Sequence, residues 1–162
     1  MKFSLLLLLF FVLQPWGMAQ AAGPNMFFSG TLVMPPCTIS KGAKVEVDFG
    51  EDLGVNKIDG VNYTKTVDYT VDCDEDYVAN QLAIVIETTS PTIFDPSAVA
   101  TDKNGLGIKV MIGTQPVTFA QPIAVDDPTS PPVISVAPVK DPAITLEEGA
   151  FEAFMTLRTD YI

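Results

Sequence analysis

Cys37 and Cys73 are the only thiols in a chain that has no histidine. Without an imidazole there is no Ser–His or Cys–His nucleophile pair, no histidine metal ligand and no proton shuttle working near neutral pH. The two cysteines are far apart and form no Cys-x-x-Cys motif, so a redox role has no support. In an oxidising compartment they read as one disulfide, whose loop of about 36 residues contributes roughly 4 kcal/mol in the chain-entropy model.

Carboxylates are the other candidates. Asp72, Asp74, Glu75 and Asp76 surround Cys73 as "DCDED", a cluster that could coordinate calcium. Set against an EF-hand loop starting at Asp72, position six is Tyr77 instead of glycine and position twelve is Ala83 instead of glutamate. The cluster therefore reads as a solvated loop beside the disulfide. Asp126 and Asp127 form a second acidic pair among prolines, with no partner carboxylate identifiable for acid–base work. Asn62-Tyr63-Thr64 matches a glycosylation acceptor but falls in a strand-like run and is set aside. No Gly-rich phosphate loop occurs. The sequence predicts no catalytic residue, no metal and no cofactor.

The oxidising compartment is itself read from the N-terminus. Met1-Lys2 precedes the apolar run "FSLLLLLFFVL" and the small-residue pattern Ala19-Gln20-Ala21, which reads as a signal peptide over residues 1–21. A run of about eleven apolar residues is too short to cross a bilayer core of roughly 30 Å, and no second run of spanning length follows. Cleavage leaves about 140 residues, enough for one domain with a real core. It also removes Lys2, making a chain of formal charge −11 one unit more acidic. Such a surface repels nucleic acid and anionic membranes.

Helical periodicity is hard to find. Lys44–Gly50, Val61–Cys73, Leu82–Thr89, Leu106–Gly113, Val133–Val139 and the stretch from Gly149 to Ile162 are rich in β-branched and aromatic residues, and glycines and prolines separate them. Short strands in an exported, disulfide-stapled chain predict an all-β, antiparallel sandwich of immunoglobulin type. Trp16, the only tryptophan, lies in the signal peptide, so no tryptophan packs on the disulfide as in antibody domains.

Two segments alternate in a way that needs a partner. At the C-terminus, "GAFEAFMTLRTDYI" puts Phe151, Ala153, Met155, Leu157, Thr159 and Tyr161 on one face, a half-buried strand running to the end of the chain. A terminal strand frays unless something holds it. Ahead of Cys37, Met26, Phe28, Gly30, Leu32 and Met34 share one face of an extended stretch. By periodicity alone that stretch reads as the domain's own first strand.

Four pieces together resemble a pilin subunit of the chaperone–usher pathway, of the type 1 and P-pilus kind and a minor or adaptor subunit. They are the terminal stretch with Gly149 and the penultimate Tyr161, Gly30 seven residues before Cys37 within "FSGTLVMPPCTIS", the Cys37–Cys73 spacing, and "GLGIKV" at Gly105–Val110. The Pro-rich stretch Pro116–Pro142 departs from the family's cleaner strand. The resemblance implies an incomplete immunoglobulin-like sandwich that lacks its last strand and is completed from outside. A periplasmic chaperone and then the extension of a neighbouring subunit would supply that strand at an outer-membrane usher. It implies an N-terminal donor extension over 22–36 with Met26, Phe28, Gly30, Leu32 and Met34 as donor residues, and a pilin domain over 37–162. Gly149, Phe151, Ala153, Met155, Leu157, Thr159 and Tyr161 would border the groove, and the carboxylate of Ile162 would be the chaperone's anchor. The expected product is a fimbria on the bacterial surface that contributes to adhesion. A one-domain adhesin binding a receptor through its own surface, and a self-contained exported β-sandwich, are the alternatives.

Overall fold

Short alternating runs become ten strands among the described residues of the computed structural model, which are 26–32, 37–75, 77 and 80–162. They are β1 (Cys37–Ile39), β2 (Lys65–Thr66), β3 (Val71–Cys73), β4 (Leu82–Glu87), β5 (Ala98–Ala100), β6 (Leu106–Ile112), β7 (Gln115–Pro116), β8 (Pro122–Ala124), β9 (Ile134–Lys140) and β10 (Thr156–Tyr161). The expected signal peptide, Met34 and Asp76 lie outside the described residues. Among the described residues no helix is long and apolar enough to cross a membrane.

The chain divides after Leu32. In the first unit, Met26–Leu32 forms no strand and every residue is exposed, Leu32 completely. In the second unit, β2-β9-β6-β5 form one sheet with β7 added to β6, β10-β4-β8 form another, and β1 pairs with β3. All pairings are antiparallel. Leu82, Ile84 and Ile86 of β4 join Val110, Ile134 and Val136 in one core, with Cys37 and Val71 part of the same cluster. Burying each such aliphatic side chain stabilises the fold by about 1.5–3 kcal/mol. Cys37 and Cys73 stand directly opposite in the β1–β3 register and are joined by a disulfide.

Several sequence expectations change at the level of pairing. The Val61–Cys73 run is two strands in different sheets. Asp59 Oδ1 accepts the N–H groups of Val61 and Asn62, which turns the chain there and lowers the Asp59 pKa. After β2, Val67 N–H still bonds to Ile134 O, whereas Thr70 O already accepts from Ser40 beside β1. The Pro-rich stretch carries both β8, which pairs with β4, and β9, which pairs with β6 along its whole length. Pro138 is tolerated in β9 because its carbonyl faces Gly60, whose N–H it accepts, so the missing N–H falls on the side away from β6. β5, β7 and β8 have two or three residues each, too few to alternate visibly.

Tyr69 packs half-buried against the core and donates its hydroxyl proton to Pro132 O. Burial pushes its pKa from 10.0 up to about 12. A folded-state value above the unfolded one means the contribution is complete below pH 10.0 and is lost as pH rises towards about 12. Denaturant midpoints measured against pH should fall more steeply across that window in the wild type than in Tyr69→Phe.

Candidate functional site

β10 has one partnered side. Its register with β4 runs from Thr156↔Glu87 to Tyr161↔Leu82, and Ile162 N–H continues it to Gln81 O. That last bond fixes the alternation: Thr156, Arg158 and Asp160 exchange backbone bonds with β4, so the N–H and C=O of Leu157 and Thr159 point the other way. Arg158 also binds Glu87 and Asp160 on the outer face, at 3.0 and 2.7 Å.

On the other side of β10, the side-chain hydrogen bonds to β1 lie at one end. Thr159 Oγ1 donates to Cys37 O, and the Tyr161 hydroxyl donates to Cys37 Sγ at 3.6 Å, since a disulfide sulfur has no proton. β1 therefore closes the side of β10 beside Thr159 and Tyr161. Beyond it the chain turns sharply, with Ser40, Lys41 and Gly42 all at positive φ, and continues as 43–50.

That continuation is the expected Lys44–Gly50 strand without a ladder. Val45, Val47 and Phe49 are half-buried against the core while Lys44, Glu46 and Asp48 are exposed, which is strand alternation. Yet no backbone group of 44–49 is hydrogen-bonded to any described residue. The same holds on the facing segment. The expected terminal strand is laddered only over Thr156–Tyr161, and before it Phe151, Ala153 and Met155 are half-buried, alternate with exposed neighbours, and make no backbone bond among the described residues. Glu152 is held instead, accepting from Asp102 N–H at 3.1 Å and donating to Asp102 Oδ1 at 2.8 Å. Both segments are thus unladdered among the described residues, and they pack their apolar side chains on the same core as two flanks. The rings of Phe49 and Phe151 meet at a centroid distance of 6.1 Å, so the two flanks touch there.

Gly149 starts the second flank. Its φ of +133° suits glycine alone, and a Cβ there would lie 2.7 Å from Lys103 Nζ. Lys103 Nζ is anchored by Glu148 O at 2.8 Å. Glycine thus lets the chain bend into this flank beneath a lysine.

A family model for fimbrial protein matches residues 26–162. The chain belongs to the fimbrial protein family. That is a family of structural proteins, not of enzymes. This fimbrial subunit is 35% identical over 147 residues to the fimbrial-like protein YfcQ of Escherichia coli strain K12, across 88% of this chain and 90% of the relative. It is 32% identical over 133 residues to the fimbrial-like protein YfcR of the same strain, across 78% of this chain and 74% of the relative. Two solved structures share the fold at 21% identity: the P pilus rod subunit PapA, with a TM-score of 0.62 over 78% of this chain and 99% of that one, and the P pilus adaptor subunit PapF, with 0.58 over 80% and 98%.

Of the residues singled out in the sequence of this fimbrial subunit, Phe151, Ala153, Met155 and Leu157 pack against the core along one flank, Gly149 is exposed at the start of it, and Thr159 and Tyr161 lock onto Cys37. Met26, Phe28, Gly30 and Leu32 are exposed in the first unit. Sequence reasoning missed the opposite flank. Val45, Val47 and Phe49 were visible as a strand, but nothing in "KVEVDFG" says that it is unladdered among the described residues. It also missed the Asp102 and Lys103 clamp, which depends on a long-range contact.

Gly149→Ala should destabilise the domain by about 1–3 kcal/mol through backbone strain. A denaturant titration measures this. Adding Lys103→Ala removes the close contact but leaves the φ penalty, so the double variant should stay below wild type.

Proposed function

We propose that this fimbrial subunit is built into a fimbria on the bacterial surface by strand addition, and that it contributes to adhesion as part of that fibre. Residues 1–21 direct export and 22–36 form a donor extension with Met26, Phe28, Gly30, Leu32 and Met34 on its inserting face. Residues 37–162 form the receiving domain, whose groove is bordered by Gly149, Phe151, Ala153, Met155 and Leu157. A periplasmic chaperone holds the groove first and contacts the carboxylate of Ile162. At an outer-membrane usher, the extension of a neighbouring subunit replaces it.

The observation that carries this reading is the pair of unladdered flanks, 43–50 and 149–155, over an apolar floor. An unpaired edge beside apolar side chains is a liability in a free domain and a docking site in an assembled one. An inserted strand supplies backbone bonds to the edges, while its alternate side chains fill the floor. Four large side chains at about 1.5–3 kcal/mol each give a gross gain on the order of 10 kcal/mol before ordering costs. Release then requires opening a completed sandwich, so the joint is kinetically durable as well.

Gly30→Trp separates the two halves of this function. It should leave chaperone co-purification unchanged, because the groove is intact, and abolish fibre growth past this subunit. Fibres that still extend would exclude Gly30 from the inserting face.

A further inference from the structure

On the basis of that strand-addition reading, we infer that the groove is matched to the extension of a second copy of this same chain, in one register, with Phe28 opposite Ala153. The added strand runs antiparallel to β10, continuing the antiparallel order of β10-β4-β8. Its side chains then meet the flank in the pairs Met26/Met155, Phe28/Ala153, Gly30/Phe151 and Leu32/Gly149. Large stands against small at three successive positions. Gly30 crosses where the rings of Phe151 and Phe49 meet, so the residue without a side chain stands against the aromatic pair.

Neighbouring registers lose this match. A shift of two residues one way sets Phe28 on Met155 and Leu32 on Phe151 while leaving a void between Gly30 and Ala153; the other way sets Phe28 on Phe151. A shift of four puts Met26 opposite Thr159, where Cys37 already sits. Charge also permits a homotypic joint. The chain is strongly acidic and two copies repel, but Met26–Leu32 carries no charge at all. The outward positions agree as well: Ser29 faces Glu152, and Phe27 faces Phe154. These two aromatics are 88% and 69% exposed before assembly, and the joint would give each a cross-strand partner.

Phe27 and Phe154 would form a non-hydrogen-bonded pair, with Cα atoms about 4.5 Å apart and Cβ atoms close enough for a disulfide, whereas diagonal neighbours stand about 7–8 Å apart. The test is co-expression of two differently tagged full-length copies, Phe27→Cys in one and Phe154→Cys, Glu152→Cys or Thr156→Cys in the other, read as mixed disulfide dimer on a non-reducing gel. All four positions are exposed, so folding is undisturbed. The expected result is a Phe27→Cys/Phe154→Cys dimer several-fold above both alternatives. A dimer dominated by Glu152→Cys or Thr156→Cys would overturn the register while leaving strand addition standing. No dimer from any pair, with the chain still entering fibres beside other subunits, would overturn the homotypic match alone. No dimer and no fibre incorporation would overturn both.

Discussion

The backbone groups of residues 44–49 have no hydrogen-bond partner among the described residues, and the structure around them depends on that fact. A strand edge in water is solvated without much loss. A strand edge beside Val45, Val47 and Phe49, which lean on the core, is different, because completing the sheet would also bury apolar surface. The facing segment repeats the arrangement with Phe151, Ala153 and Met155. Two unladdered edges thus lean on one core, and on the strand-addition reading proposed above an added strand would pair both.

The remainder of the domain holds the edges in place without filling the space between them. β4 is the fixed element: Leu82 to Ile86 are almost wholly buried, and β10 is laddered to it along its full length. The disulfide ties β1 to β3, and Thr159 and Tyr161 fasten β10 to Cys37. At the other end Asp102 holds Glu152, and Lys103 covers Gly149. The positive-φ turn at Ser40–Gly42 lets one chain segment leave its β1–β3 pairing and become the far wall. Both flanks are therefore anchored by contacts that lie outside the two unladdered segments themselves.

Much of the fold was legible because strand alternation is a local property. Leu82–Thr89, Leu106–Gly113 and Val133–Val139 correspond to β4, β6 and β9, which carry the core. The disulfide followed from cysteine number and compartment, and Phe151 to Leu157 followed from period alone. Pairing was not legible in the same way. Val61–Cys73 reads as one strand because composition does not register that Asp59 captures two backbone N–H groups or that the chain changes sheets after Val67. The opposite flank was hidden for a related reason: "KVEVDFG" has the pattern of a paired strand, and nothing in the residues themselves says that their backbone makes no hydrogen bond among the described residues. Gly149 lies between these cases, since its place in the terminal signature was evident but its partner Lys103 is set by tertiary contact.

The central claim is that two strand edges are open in the single chain and become paired when a strand is added. Amide hydrogen exchange on the monomeric chain, alone and with a peptide spanning Asn25–Pro36, tests it most directly, because it reads each backbone group separately. Fast exchange at 44–49 and at Phe151, Ala153 and Met155 in the chain alone, against strong protection in β4 and β6, is the predicted pattern, with those same amides slowing once the peptide is bound. Protection of both segments in the chain alone, equal to that of β4, would mean that the edges are already paired and would contradict it.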